Sequence, residues 1–203
     1  MYLEDSEVID WKHPSIRSLA SALSADCGSI QEIAKNCFEW VRDNVRHSLD
    51  YKLNPVTWKA SDVLKHRTGY CFAKSHLLGA LLRAGGIPAG FCYQRLRLKG
   101  GGAPPYGLHG LNAVFLPHHG WYRIDSRGNK EDIDAQFSPP IEQLAFSGKD
   151  NKVVADLPEI WPEPLSCVVS LLSRYSDYRD VYNNMVDIEL VPTIMTRSTG
   201  ASD

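Results

Sequence analysis

The segment that most limits what this chain can fold into runs from Cys71 to about Ala84, CFAKSHLLGALLRA. Its residues favour helix, and Ala73, Leu77, Leu78, Ala80, Leu81 and Leu82 spread over a wide arc rather than a single stripe. A helix apolar over so broad an arc belongs in the centre of a domain, with the remaining elements packed around it. Gly85-Gly86 provide a left-handed stop and Pro88 blocks any restart. The segment also raises a question. A cysteine needed for packing could stand anywhere along the helix, yet Cys71 stands at its first residue, just after a Thr68-Gly69 turn.

Around this helix the pattern is readable. Residues 15–26 and 29–47 read as helices, the second with Ile33, Cys37, Trp40, Val41 and Val45 on one stripe. Ser61-Asp62-Val63-Leu64 opens a short helix that the Thr68-Gly69 turn would end. Three strand-like segments follow at about 90–98, 109–116 and 121–125. The glycines and prolines of LKGGGAPPYGL, between the first two, predict a mobile loop. Beyond Ser138 a proline-containing stretch leads to helix-like residues 165–175 and 178–187 and a polar tail. The order predicts an α+β fold: N-terminal helices and a central buried helix packed on an antiparallel sheet. It reads as a single domain over 1–203, with a helical extension at about 139–190 and a tail at about 191–203.

Composition narrows the function. Hydrophobic residues make up 43% and charged residues 23%, as in an ordinary globular protein. A formal charge of −2 gives no reason to expect nucleic acid, and neither a Lys/Arg cluster nor a long apolar run points to a membrane. The opening MYLEDSEVIDWKHP is acidic where a signal peptide would be basic and then apolar, so a cytoplasmic protein is expected. The five cysteines are odd in number and none forms a CxxC pair, which favours neither a disulfide framework nor a zinc knuckle. Cys27, Cys37, Cys92 and Cys167 read as small buried hydrophobes.

Cys71 is different because of where it stands. A thiolate is the nucleophilic form, so a catalytic cysteine needs its pKa brought down from about 8.5. Unpaired N–H groups and the macrodipole at a helix start favour negative charge, and the same amides can hold a developing oxyanion. A base must then stand within hydrogen-bond reach, oriented by a third group. His109 opens the strand HGLNAVFL, and Asp125 closes WYRID 16 residues later. A two-residue turn at His118-His119 would put the two side chains on opposite faces of the hairpin. A three-residue loop from Pro117 to His119 pairs Leu116 with Gly120, and then Asp125 lies on the face of His109, diagonal to it. The catalytic reading therefore demands the second register or a bulge.

GYCFAKSHLLGALLRAGGIPAGFCY followed by HGLNAVFLPHHGWYRID resembles the transglutaminase-like superfamily, whose core is related to papain-like cysteine proteases. FEWVRDNVRHSLDY looks like the helix that commonly precedes the nucleophile, and the resemblance covers roughly residues 30–130. It implies Cys71 as nucleophile, His109 as general base and acid, and Asp125 as the orienting carboxylate. Members often carry an aromatic two residues after the histidine, where this chain has Leu111, a departure at the substrate-facing wall. A second oxyanion donor is sought among Trp58, Tyr51 and Gln94, with Trp58 preferred because indole donors serve in some relatives.

The resemblance implies a thiol enzyme acting on an amide of a peptide, protein or small molecule through a thioester. Hydrolysis is favoured, with transglutaminase-type transfer to an amine and a catalytically silent scaffold as alternatives. No cofactor is required; some relatives use calcium, but no EF-hand-like loop is present. His118-His119 lack further ligands at metal spacing and read as a solvated turn. His76 lies too far round the helix to serve Cys71, and His13, His47 and His66 carry no signal.

Overall fold

The computed structural model describes residues 1–98, 104–147 and 152–188. Helices α1 (Pro14–Ser24) and α2 (Ile30–Asn44) are followed by a two-residue strand β1 (Arg46–His47). Next come the single turn α3 (Ser48–Tyr51), helix α4 (Ala60–His66), strand β2 (Thr68–Gly69) and the central helix α5 (Cys71–Ala84). The second half holds β3 (Ala89–Arg97), β4 (Tyr106–Leu116), β5 (Gly120–Ile124), β6 (Gln136–Ser138), β7 (Ile141–Gln143) and β8 (Val153–Asp156). Helices α6 (Ser166–Arg174) and α7 (Tyr178–Asn183) complete the described chain. The fold is α+β, as expected. The glycine-rich part of the loop between β3 and β4, and the polar tail, lie outside the described residues.

The broad apolar arc of α5 has its predicted consequence: every residue from Cys71 to Arg83 is buried. Helices α1, α2 and α4 pack on one side of α5 and strands β3 and β4 on the other. Leu77, Leu78, Leu81 and Leu82 are each fully enclosed, where truncation to alanine typically costs about 2–5 kcal/mol. The helix stops as anticipated, with Gly86 at φ 73° and Pro88 beyond it. Two of its residues are charged and buried. Arg83 is satisfied by the carbonyls of Ala89, Glu4 and Pro162, and Lys74 by those of Arg42 and Val45.

The main sheet is antiparallel, in the order β5-β4-β3-β8. Its fourth strand comes from the stretch expected to be a helical extension, so that part of the expectation is corrected. Val153–Asp156 pairs with β3, and β6 and β7 form a small hairpin of their own. Other boundaries also shift for physical reasons. Helix α2 ends at Asn44 rather than 47 because Arg46 and His47 pair in parallel with Thr68 and Gly69. Thr68-Gly69 is thus a strand, and the turn before it falls to Arg67, which ends α4 at φ 55°. Helix α7 ends at Asn183 rather than 187, since the carbonyl of Val186 accepts from Leu108 and Asp187 pairs with Arg95 instead.

Candidate active site

Cys71 is the first residue of α5 and 6% exposed. The residue before it, Tyr70, makes no side-chain capping hydrogen bond to this helix; its hydroxyl donates instead to the carbonyl of Tyr178. The helix start therefore keeps its own N–H groups for a thiolate or an oxyanion. The other buried thiols sit in a different environment. Burial pushes Cys37 and Cys92 up to about 12, which makes them inert as nucleophiles at neutral pH.

Strand β4 delivers His109 to this helix start through close backbone approach. A Cβ on Gly110 would lie 2.7 Å from Phe72 Cδ1 and 3.3 Å from Phe72 Cα, so glycine lets the strand lie against the first turn of α5. The hairpin that follows takes the register the site demands: Leu116 pairs with Gly120 across Pro117–His119, and Gly120 has φ 69°. Asp125 is thereby held diagonal to His109, and its Oδ2 accepts from His109 Nε2 at 2.7 Å. With Nε2 engaged, Nδ1 is the ring nitrogen left for the thiol, and His109 has a side-chain hydrogen bond to Cys71.

Both members of the pair are buried, at 2% and 1% exposure. Burial alone would neutralise the imidazole, but the charge of Asp125, the neighbouring Cys71 and the hydrogen bonds to both outweigh it and raise His109 to about 10. Burial would likewise raise Asp125, yet the charge and hydrogen bond of His109, with the backbone N–H groups of Arg127 and Ala145, hold it below the usual carboxylate range. The arrangement favours a protonated imidazole held between the Asp125 carboxylate and Cys71.

The candidate oxyanion donors separate. Gln94 is buried and sits directly across from His109 in the β3–β4 register, with Nε2 directed to the carbonyl of Phe146 and to Asp156 at 3.4 Å each. Trp58 is half-buried before α4; its carbonyl accepts from His76 Nδ1 at 2.7 Å and Lys59 lies over its ring. Tyr51 stands apart, 58% exposed with the Arg46 guanidinium over its ring. Leu111, expected at a substrate-facing wall, is instead fully buried beside Cys92 and Ala113, with Leu144 and Ile160.

Three further groups escaped the sequence reading. Phe146 stands edge-on to His109 with ring centroids 4.9 Å apart, and its neighbour Ala145 donates to Asp125 at 3.1 Å. Both come from the segment read as an extension. His47, read as carrying no signal, is buried against Tyr70, the residue before Cys71, and lines a cavity of about 300 Å³ with Arg127 and Lys130.

The site thus brings together a thiol at an uncapped helix start and a buried histidine–aspartate pair on the sheet of an α+β core. The family model of the transglutaminase-like superfamily (transglutaminase core) matches residues 17–126, more than half of the chain, and the chain belongs to that superfamily. A solved structure from Cytophaga hutchinsonii, described as a candidate cysteine protease, is 21% identical with a TM-score of 0.50, covering 62% of this chain and 40% of that one. The likeness is one of fold. The periplasmic domain of TgpA from Pseudomonas aeruginosa is 25% identical with a TM-score of 0.43, covering 56% of this chain and 42% of that one. This chain thus spans less than half the length of either structure. No curated protein matches it. Among the described residues no cluster of three or more metal-binding side chains is present, and no helix is long and apolar enough to cross a membrane.

Proposed function

We propose that this protein is a cysteine hydrolase of amide bonds, with Cys71 as nucleophile, His109 as acid and base, and Asp125 as orienting carboxylate. The observation that carries this reading is the 2.7 Å bond between His109 Nε2 and Asp125 Oδ2, buried beside Cys71 at an uncapped helix start. The Cys71 sulfur adds to the amide carbonyl, and N–H groups of the α5 start receive the oxyanion. The tetrahedral adduct expels the amine, which takes a proton from imidazolium His109, leaving a thioester. Neutral His109 then takes a proton from water as its oxygen adds to the thioester carbonyl. Collapse of that adduct releases a carboxylic acid and restores the thiolate–imidazolium pair.

Transfer to an amine uses the same thioester and differs only in the second nucleophile. The 6% exposure of Cys71 favours this second reading, because a shielded thioester meets less bulk water. Five unpaired thiols fit a reducing compartment, and we place the protein in the cytoplasm, to be checked by fractionation of cells expressing the tagged chain.

The deciding test is the rate of Cys71 alkylation by iodoacetamide against pH, in wild type and His109→Ala. The expected result is rapid alkylation at neutral pH in wild type and a loss of about tenfold or more in the variant. Equal, free-thiol-like rates in both would leave a fold without a nucleophile. Adding cadaverine to an acyl-enzyme formed from a peptide amide then separates transfer from hydrolysis by the product mass.

A further inference from the structure

A second cavity, of about 330 Å³, lies beside the dyad, and Phe146 forms the wall between it and His109. Strand β3 contributes Leu96, two residues along from the Gln94 that pairs with His109, so the cavity opens on the sheet face that carries His109. We propose that this cavity is a specificity pocket for a carboxylate, and that the preferred substrates are peptides bearing an acidic group close to the scissile amide. The proposal deepens the amide-hydrolase reading and rests on it.

The charge arrangement carries the argument. Among the described residues Arg97, Arg127, Lys130 and Lys152 line the cavity against two carboxylates, Asp50 and Asp132, a cationic lining in a chain whose net charge is −2. Each carboxylate is shared. Asp50 pairs with Arg127 at 2.8 Å and Lys130 at 3.4 Å, and Asp132 with Lys152 at 3.1 Å and Lys130 at 3.8 Å. Arg97 has no carboxylate partner among the described residues. Among the described lining residues the cations thus outnumber the carboxylates, inside a concave wall that concentrates their potential.

The surplus is also graded in depth. The Arg127 side chain is 9% exposed, whereas those of Lys152 and Lys130 are 38% and 44% exposed. Arg127 and Lys152 both lie 5.6 Å from the Phe146 ring, on the aromatic that touches His109. A side chain with an aliphatic stem and a terminal carboxylate matches this wall. Its stem would lie along Leu96 and Leu98, and its carboxylate would complete the ion-pair network at Arg97 and Lys152. A neutral or cationic side chain would leave the surplus uncompensated or worsen it.

The test is isothermal titration of the Cys71→Ala protein, which cannot turn over, with C-terminally amidated pentapeptides Ala-Ala-Xaa-Ala-Ala in which Xaa is Glu, Gln or Lys. A Gln peptide with a free C-terminus is the fourth ligand. We expect the Glu peptide to bind about tenfold tighter than the Gln peptide at low salt, with the Lys peptide weakest. The double variant Arg97→Gln/Lys152→Gln should bring the Glu/Gln ratio to about one, while Arg97→Lys retains it; unfolding midpoints establish that the variants are folded. A free-acid Gln peptide that binds as tightly as the Glu peptide supports the same site and assigns the carboxylate to a chain end. Equal affinity for the amidated Glu and Gln peptides, or a preference that survives the double variant, overturns the proposal. Alkylation of wild-type Cys71 is read separately. If it is indifferent to His109→Ala, the catalytic reading fails while the binding series still stands or falls on its own.

Discussion

His109 Nε2 donates to Asp125 Oδ2 at 2.7 Å although the two residues lie on different strands and their positions are diagonal in the sheet. The bond exists because Leu116 pairs with Gly120. Shifting that pairing by one residue would send the imidazole and the carboxylate to opposite faces. Asp125 is fixed from both sides: Oδ1 accepts from the Arg127 N–H and Oδ2 from the Ala145 N–H, each at 3.1 Å. The aspartate therefore aims the ring as well as balancing its charge.

These two roles can be separated by substitution. Asp125→Asn keeps an oxygen that can accept from His109 and Ala145 but turns its NH2 toward the Arg127 N–H and removes the charge that raises His109, so Cys71 alkylation at neutral pH should fall by about tenfold or more, with about 1–3 kcal/mol lost for the one buried N–H left unpaired. Asp125→Ala also strands the buried Arg127 and Ala145 N–H groups and should cost a further ~1–3 kcal/mol in urea denaturation. An Asp125→Asn protein alkylated at the wild-type rate would remove Asp125 from the mechanism.

Gly110 sets the spacing between β4 and α5. Its replacement by alanine would place a methyl 2.7 Å from the Phe72 ring and 3.3 Å from the Phe72 backbone, so strand and helix must move apart. Overpacking of this kind costs about 1–3 kcal/mol. Because His109 is the adjacent residue, the displacement should also lower the alkylation rate of Cys71. Stability loss alone, with the rate unchanged, would show that Phe72 yields and the dyad does not.

His76 predicts an acid-labile term in stability. Its Nδ1 donates to the Trp58 carbonyl at 2.7 Å, its Nε2 is buried without a partner, and burial lowers its pKa to about 4. The unfolded chain takes up this proton near 6.5 and the folded chain does not. The native state therefore has its full contribution above about 6.5 and loses it as the pH falls toward 4. His76→Asn retains a donor for Trp58 and cannot titrate, so its stability should fall less steeply than that of wild type between pH 6.5 and 4.5. Parallel urea-midpoint curves for the two proteins would contradict this.

Much of the site was legible because the chain states it locally. The helix start at Cys71, the glycine stop and the strand-opening histidine are short-range features, and the register question reduced to two alternatives that the hairpin geometry could decide. What escaped was non-local. β8 is four residues long, and although its burial alternates between partly buried and exposed, VVAD lacks the apolar–polar alternation of residues that marks a strand. Ala145 and Phe146 act through contacts 20 and 37 residues away from their own positions, and nothing in their neighbours signals it. His47 joins the site only because β1 and β2 pair in parallel, and a two-residue parallel pair has no sequence signature.

Lys74 was visible as a lysine inside an apolar helix, and its position makes a prediction whose sign is not intuitive. The side chain is fully buried, and Nζ donates to the carbonyls of Val45 and Arg42 at the end of α2, joining the last turn of that helix to the first turn of α5. Burial and the Arg127 charge lower it to about 7, against the pull of Asp125, Asp43 and Asp50. The unfolded chain keeps this proton up to about 10.4, so between pH 7 and 10 it holds more protons than the folded one and the native state gains stability as the pH rises. Lys74→Met fills similar space but leaves both carbonyls without their donor, a loss of about 1–3 kcal/mol. The variant also lacks the rise with pH. The deficit of Lys74→Met relative to wild type should therefore widen from pH 6.5 to pH 9.5, by at most roughly 1.4 kcal/mol per unit, in urea denaturation. A deficit that stays constant across that range would mean that Lys74 keeps its charge in the folded protein, and that the carbonyls of α2 and the nearby carboxylates together outweigh its burial.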